Sequence, residues 1–215
     1  MKFNDLPKKI AVFPLSNAIF FPRTVLPLNI FEERYLQLVN DCIKNQRIFG
    51  MIQPKRNNNI KSKKIGPELY KVGCLGKIIN FDETDDRRLT ITLSGLSRFK
   101  VIEEINNDKL YREFTVDYSM FVDDLNSNKL SKIDNNNLIS KIKMYFKKKK
   151  YYLDWNLLEK LDHEQLINTI CMIAPLSIEE KQKLLETEKI KDKLNILNQI
   201  LNFSLQSELN NETIQ

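Results

Sequence analysis

The stretch IAVFPLSNAIFFPRTVLPLNIFEERY, residues 10–35, decides the fold of this chain. It contains two short runs of strand-forming residues, 10–13 and 25–30. Three prolines punctuate it: Pro14, Pro22 and Pro27. Because proline has no backbone N–H, it is confined to strand starts, edges and bulges. The interrupted strands therefore belong in a small, bent sheet or barrel rather than in a flat central sheet.

The hydrophobic period changes at the end of this stretch. Apolar side chains now recur three or four residues apart, at Phe31, Tyr35, Leu38, Val39 and Cys42. That spacing places them along one stripe of a helix, which we expect to run over about residues 32–44 and to face the core.

Further strand patterns follow the helix as far as residue 120. Strands are predicted at 47–53, 69–81, 89–94, 98–105 and 111–120. The clearest alternation of apolar and hydroxyl residues runs from Leu89 to Ser94, and Gly95 is expected to end that strand. Successive hairpins at this spacing favour a mostly antiparallel sheet. The polar segment 54–67 is expected to be a loop.

The composition changes at residues 122–132, VDDLNSNKLSK, which we interpret as a linker. It separates a β domain with one helix, residues 1–121, from a helical bundle, residues 133–215. Two helix starts are predicted within the bundle. Asp162 is a candidate N-cap, and Ser177 forms a capping box with Glu180.

Composition and charge are those of an ordinary globular protein. The chain has 215 residues, of which 42% are hydrophobic and 29% charged, and its formal net charge is +6. No run approaches the roughly 20 apolar residues that span a bilayer, and the start of the chain lacks the apolar core of a signal peptide. Three separated cysteines, Cys42, Cys74 and Cys171, fit reduced core residues. We therefore expect a cytoplasmic protein that does not bind membranes.

The positive charge permits a nucleic-acid partner, although joint enrichment in Lys, Asn and Ile from AT-rich coding DNA explains it more simply. One basic segment lies beside aromatic residues: Lys147, Lys148, Lys149, Lys150, Tyr151 and Tyr152. Basic and aromatic side chains together are typical of nucleic-acid binding. Four consecutive lysines on a helix point all round it, however, so a solvated helix end is the simpler interpretation.

No catalytic or metal-binding constellation is present in the sequence. The single histidine, His163, excludes sites that need several histidines. The cysteines form no CxxC pair. The segment GCLGK at 73–77 lacks the spacing of a phosphate-binding loop, and the acidic segment 82–87 lacks the glycine of a calcium loop. We expect no enzyme activity and no cofactor.

Two adjacent aromatic residues, Phe20 and Phe21, lie between the first two strands and are followed by Pro22 and Arg23. The simpler interpretation is that both rings fill the core. Otherwise they line an exposed apolar groove, which usually marks a peptide- or protein-binding site.

The chain resembles the N-terminal domain of Lon-type ATP-dependent proteases, particularly its stand-alone bacterial homologues. The segments that carry the resemblance are FPLSNAIFFPRTVLPLNIFEERY at 13–35, the strand with Phe49-Gly50, ELYKVGCLGKIINF at 68–81, LTITLSGLSRFKVIEEI at 89–105 and LINTICMIAPLSIEEKQKLLE at 166–186. The family pattern usually has histidine where this chain has Asn29. At that position the chain is therefore polar but not ionisable.

The resemblance implies an α+β protein, with a PUA-like pseudo-barrel of mostly antiparallel strands followed by a C-terminal helical bundle. In the full proteases this region is linked to substrate recognition and assembly. It carries neither ATPase nor peptidase chemistry, and this sequence contains no Walker A motif and no Ser–Lys protease domain. By analogy the chain is a recognition module, although a shared fold does not identify a ligand.

By position, eight residues are candidates for binding: Phe13, Phe21, Pro22, Arg23, Asn29, Phe31, Arg34 and Arg98. Both Arg34 and Arg98 can hold a carboxylate bidentately. The alternative is an internal ion pair, for instance between Arg34 and the neighbouring Glu32 or Glu33.

The function that we predict from the sequence is non-enzymatic binding of a protein or peptide, in an adaptor or regulator of proteolysis. A peptide can extend an exposed strand edge of such a sheet. The alternative is an RNA-binding protein, since PUA-like folds often serve RNA and this chain is basic.

Overall fold

The computed structural model describes residues 3–55, 66–84, 88–125 and 136–212. The chain divides into two compact units, Met1–Ser127 and Asn128–Gln215. The first unit carries the strands together with one α-helix, and the second carries the remaining α-helices.

The first unit begins with a short 3-10 turn, Phe3–Asp5, and ends with a 3-10 segment, Ser119–Leu125. Between them lie β1 (Lys9–Pro14), β2 (Val25–Ile30), α1 (Glu33–Ile43), β3 (Ile48–Ile52), β4 (Val72–Glu83), β5 (Leu89–Ile105) and β6 (Arg112–Asp117). The α-helix of this unit therefore lies between the second and third strands, where the sequence pattern predicts it.

The six strands form one sheet in the order β2-β5-β4-β3-β1-β6. β6 pairs with β5 as well, so five of the strands close into a ring and β2 is added at the outside. Every pairing is antiparallel except that between β1 and β3. The predicted α+β fold with a mostly antiparallel sheet is confirmed.

β5 is longer than the sequence predicts. We expected one strand to end at Ser94-Gly95 and another to begin at Arg98, but a single strand runs from Leu89 to Ile105. Its first part pairs with β2 and β4, and its last part pairs with β6. Gly95 lies at a register shift of this ladder and bends the strand rather than ending it.

The core of the first unit lies inside this ring. Val12, Leu75 and Phe99 are completely buried at its centre. Two glycines make room for the Phe99 ring, because a Cβ atom would lie 2.7 Å from it at Gly50 and 2.6 Å from it at Gly73. The small residues in these strands are therefore needed for packing.

α1 buries the predicted stripe of Tyr35, Leu38, Val39 and Cys42. Phe31 does not belong to that stripe, contrary to the pattern. β2 ends at Ile30 and the helix begins at Glu33. Phe31 therefore lies in the short connection between them, and its side chain is 65% exposed.

The first unit extends beyond residue 121, where the sequence places the domain boundary. Residues 122–125, expected to be linker, belong to the 3-10 segment that packs on β5, and Asp124 within it is buried. The rest of the predicted linker lies outside the described residues, as does most of the predicted loop 54–67. At the ends of that loop, Pro54 pairs with Leu69 in an isolated β-bridge.

The second unit consists of α2 (Asn136–Lys148), α3 (Trp155–Leu158), α4 (His163–Ile173), α5 (Ile178–Glu186) and α6 (Ile190–Glu212). Both predicted caps are present: Asp162 accepts a hydrogen bond from the Gln165 N–H, and Ser177 and Glu180 form a capping box. Within the described ranges, no helix is long and apolar enough to cross a membrane.

Candidate functional site

Two adjoining hollows lie beside the N-terminal end of α1, with volumes of about 300 Å³ and about 250 Å³. Both are lined by Pro14, Ser16, Arg34 and Tyr35. Because they share these residues, we call the two hollows together the α1 groove. The end of β1, the connection from β2 to α1 and the residues before β6 supply its walls.

The floor of the first hollow is aromatic. The rings of Phe13 and Tyr35 stack with their centroids 3.9 Å apart, and Phe49 lies 6.2 Å behind Phe13. The Tyr35 hydroxyl donates to the Pro14 carbonyl at 3.4 Å. Burial raises the pKa of Tyr35, although the nearby Arg34 guanidinium acts in the opposite direction. The floor is therefore aromatic and closely packed, with Phe13 6% and Tyr35 5% exposed.

The exposed guanidinium of Arg34 borders this floor. Arg34 donates two hydrogen bonds to one Glu32 oxygen, at 3.0 and 2.7 Å, and its guanidinium lies 4.5 Å from the centre of the Tyr35 ring. The two side chains of the ion pair are 51% and 45% exposed. An ion pair in such contact with water contributes at most about 1 kcal/mol. A competing carboxylate can therefore displace Glu32 at little cost.

Phe31 and Asn29 complete the first hollow. Phe31 presents a largely exposed phenyl ring at the rim. Asn29 lies on β2, where its side-chain oxygen accepts a hydrogen bond from the Thr90 hydroxyl at 3.2 Å. The rim thus combines an apolar ring with an amide that can donate or accept.

The second hollow adds Leu110 and Arg112. Leu110 is 55% exposed, and its N–H donates to the Gln37 side chain at 2.9 Å. Arg112 is held by Glu104, at 2.6 and 2.8 Å, and by the Pro67 carbonyl, at 2.9 Å. The groove therefore continues as an apolar surface with a fixed cation at its edge.

β2 borders the groove and is an edge strand. In the described part of the chain it pairs with β5 alone. Pro27 lies in its middle and offers no N–H, which weakens any ladder that another strand forms on this edge. Side chains of the groove are thus better placed than the β2 backbone to hold a ligand.

Four of the eight candidate residues lie in the α1 groove: Phe13, Asn29, Phe31 and Arg34. The other four do not line either hollow: Phe21, Pro22, Arg23 and Arg98. The structure therefore brings together half of the set that was chosen by position.

Phe21 fills the core, as the simpler interpretation holds. The Phe21 side chain is completely buried, and the Phe20 side chain is 2% exposed. The Thr24 hydroxyl donates to the Phe21 carbonyl at 2.7 Å, and the Arg23 N–H donates to the Gly95 carbonyl at 2.9 Å. A Cβ atom on Gly95 would lie 2.2 Å from the Phe21 carbonyl oxygen. The turn that contains Pro22 thus packs against β5 at Gly95, and it exposes neither phenyl ring.

Arg98 forms an internal ion pair. Its side chain is 4% exposed, and it donates to both oxygens of Asp124, at 2.7 Å from Nη2 and 3.0 Å from Nε. The backbone N–H of Arg98 donates to the same carboxylate at 2.7 Å, and the guanidinium lies over the Phe121 ring at 4.3 Å. Arg98 therefore anchors the 3-10 segment to β5.

The basic segment from Lys147 to Tyr152 belongs to the second unit, at the end of α2. Lys147 and Lys148 occupy the last turn of the helix, and Lys149 and Lys150 follow it. Both tyrosines are exposed.

A separate hollow of about 360 Å³ lies at the C-terminal end of α1. Three of its charged side chains have partners within the hollow, since Lys109 pairs with Glu113 and Asp41 accepts a hydrogen bond from the Tyr111 hydroxyl. Burial raises the pKa of its Cys42 thiol to about 12, so the thiol stays protonated and is a poor nucleophile. Within the described residues, no group of acidic, histidine and cysteine side chains is arranged to hold a metal ion.

Several residues of the α1 groove are not among the binding candidates predicted from the sequence: Ser16, Tyr35, Leu110 and Arg112. Tyr35 was predicted to belong to the buried helix stripe, and the structure agrees, since its side chain is 5% exposed and stacks on Phe13. Leu110 follows a turn and has no periodic partner. Only its apolar character beside charged residues is visible in the sequence.

One protein family matches nearly the whole chain. The family described as ATP-dependent protease La (LON) substrate-binding domain matches residues 9–202. Among curated relatives, the Lon protease of Anaeromyxobacter dehalogenans is 26% identical over 202 residues, which cover 92% of this chain and 23% of that protein. The Lon protease of Flavobacterium johnsoniae is 23% identical over 99% of this chain and 26% of its own length. The chain thus spans about a quarter of these relatives.

Solved structures share the fold. A Lon N-terminal domain protein from Xanthomonas campestris superposes with a TM-score of 0.63 at 22% identity, covering 90% of this chain and 97% of its own. The N-terminal domain of a Mycobacterium avium complex Lon protease gives a TM-score of 0.61 at 13% identity, over 91% and 98% of the two chains.

Proposed function

Because this chain belongs to the family of Lon substrate-binding domains, we propose that it is a non-enzymatic recognition module that binds proteins or peptides. The family supports substrate recognition as the general role. The protonated Cys42 thiol and the paired charges around it are in keeping with a protein that has no catalytic site. The three buried cysteines form no disulfide, which fits a reducing compartment such as the cytoplasm.

The α1 groove is the proposed binding surface. The observation that carries this proposal is the exposed phenyl ring of Phe31 beside a floor of stacked Phe13 and Tyr35. Aromatic side chains dominate the energetics of protein recognition, because a ring buries a large area and loses few rotamers. An apolar side chain of an extended peptide can fit between Phe31 and this floor.

Arg34 gives the groove its polar contact. It is held by an exposed carboxylate and by the face of Tyr35. Exchange of Glu32 for a carboxylate or carbonyl oxygen of a peptide keeps the guanidinium paired, so the exchange costs little. The groove then fixes a peptide through one apolar contact and one charge-assisted hydrogen bond.

Within the cell, the module serves as an adaptor or regulator in proteolysis. A recognition domain holds unfolded segments that a partner protease degrades. The family supports substrate recognition, and the adaptor role is our extension of it.

Substitution of Phe31 by Asp tests the groove. The probe is a reduced, alkylated and fluorescently labelled protein that cannot refold, titrated with the full chain while fluorescence anisotropy is measured. We expect Phe31→Asp to weaken binding by at least tenfold, since a hot-spot aromatic contributes about 2 kcal/mol or more.

The matched control is Phe203→Asp. Phe203 is also a largely exposed phenylalanine, at 74%, but it lies on α6 in the second unit. It changes the same side chain and the same charge, so binding should be retained. Equal losses in both variants, or binding that neither variant changes, would reject the α1 groove as the binding surface.

A further inference from the structure

The end of α2 has a defined backbone conformation. The Tyr151 N–H donates to the Phe146 carbonyl at 3.0 Å, and the Lys150 N–H donates to the Lys147 carbonyl at 3.1 Å. These are the two hydrogen bonds of a Schellman motif, whose left-handed position is usually glycine. Here Lys150 occupies that position with a φ of 58°. The backbone that carries the two tyrosines is therefore fixed.

Both tyrosines following this turn are exposed. Tyr152 is 94% exposed and Tyr151 is 54% exposed. Tyrosine usually buries most of its ring when it serves only the fold. The Tyr152 ring contributes almost nothing to the packing of the second unit, and both of its faces are open to a ligand.

The four lysines divide into two pairs. Lys148 donates to the Leu205 carbonyl at 3.3 Å, and the Lys149 ammonium group lies 5.9 Å from the centre of the Tyr145 ring. These two side chains fold back onto the helices. Lys147 and Lys150 are exposed, and no acidic side chain in the described part of the chain pairs with them.

The nearest acidic residues in the sequence are engaged elsewhere. Asp154 caps α3 by accepting hydrogen bonds from the Asn156 and Leu157 N–H groups, at 3.0 and 3.3 Å. Glu159 pairs with Lys143 at 3.0 Å. Both carboxylates are thus engaged away from Lys147 and Lys150, in a segment of four consecutive lysines.

We propose that residues 147–152 form a binding site for single-stranded nucleic acid, in which Tyr152 stacks on a base while Lys147 and Lys150 bind phosphates. A polyanion with planar bases matches both the charge and the open ring face. A membrane surface is anionic as well, but it offers no planar ring to stack on the open face of Tyr152. This site is separate from the α1 groove and does not depend on the function proposed for it.

Anisotropy of a fluorescein-labelled single-stranded RNA of about 12 nucleotides, titrated with the full chain over a salt series, tests the proposal. We expect Tyr152→Ala to weaken binding about five- to a hundredfold, as loss of one stacked base does, and Tyr152→Phe to restore it. The double variant Lys147→Glu, Lys150→Glu should flatten the slope of log K against log salt by about 1.4, or about 0.7 for each phosphate contact.

The control for charge is Lys183→Glu, Lys191→Glu, which changes two exposed lysines elsewhere in the second unit. It should leave the salt slope near that of the unchanged chain. Trp155 fluorescence and circular dichroism establish that each variant is folded. Absence of RNA binding at low salt would overturn the proposal. So would RNA binding that Tyr152→Ala leaves intact, equal effects of the two double variants, or binding of anionic phospholipid vesicles with none of RNA.

Discussion

At the residue scale, the two arginines chosen as ligand-binding candidates have opposite surroundings. Arg34 is about half exposed and paired with its sequence neighbour Glu32, whereas Arg98 is buried and paired with Asp124. The first can exchange its partner. The second cannot, because a buried guanidinium without a carboxylate loses its solvation and gains nothing in return.

Asp124→Ala should therefore lower the free energy of unfolding by about 3–5 kcal/mol, because it removes the carboxylate that balances the buried charge of Arg98. Urea denaturation monitored by circular dichroism measures the loss. Glu32→Ala removes the exposed pair in the same unit and should cost at most about 1 kcal/mol. Comparable losses in the two variants would contradict the difference in burial between these ion pairs.

At the element scale, the helices of the second unit begin where side chains cap them. Ser177 accepts from the Glu180 N–H at 3.1 Å, and the Glu180 carboxylate accepts from the Ser177 N–H at 2.8 Å. The helix that follows buries Leu184 and Leu185. The cap thus satisfies two N–H groups that the helix itself leaves without partners.

Ser177→Ala should destabilise the chain by about 1 kcal/mol, because one of those N–H groups loses its acceptor. Ser177→Asp provides the control, since aspartate caps about as well as serine and should keep nearly all of the stability. Thermal or urea unfolding of the unchanged chain and of the two variants measures these differences in stability. Equal stability of the alanine and aspartate variants would show that the capping box contributes nothing.

At the scale of the whole molecule, the position of one carboxylate decides where the first unit ends. The sequence ends the β domain at residue 121 and places a linker at 122–132, and the two units divide within that linker, after Ser127. Asp124 lies between the two limits and holds the 3-10 segment on β5 through Arg98. A fragment that ends at residue 121 therefore lacks Asp124, the buried counter-ion of Arg98.

Two fragments test this boundary. Fragment 1–127 should unfold cooperatively in urea, whereas fragment 1–121 lacks Asp124 and should be less stable by about 3–5 kcal/mol. That loss is a large share of the 5–15 kcal/mol that stabilises a typical domain. The same urea midpoint for both fragments would place residues 122–127 outside the folded unit.

The sequence by itself determined the class of the fold, the position of α1 and the capped helix starts. These features rest on local physics, namely proline chemistry, hydrophobic period and hydrogen bonds within four residues. It also placed Phe31 and Arg34 among the binding candidates, which remain a prediction; Phe31 lies in the connection between β2 and α1, and Arg34 lies in the first turn of α1.

Only the tertiary structure decided which candidate residues meet. The α1 groove combines Phe13, Phe31 and Tyr35 with Leu110, and the buried ion pair joins residues 98 and 124. The sequence pattern gives no measure of such distances, because they depend on how the long, bent β5 closes the ring of strands. The exposure of two phenylalanines also depends on the tertiary structure. Phe21 is buried because its segment packs against Gly95, which is distant in sequence. Phe31 lies between β2 and α1 and is open to water.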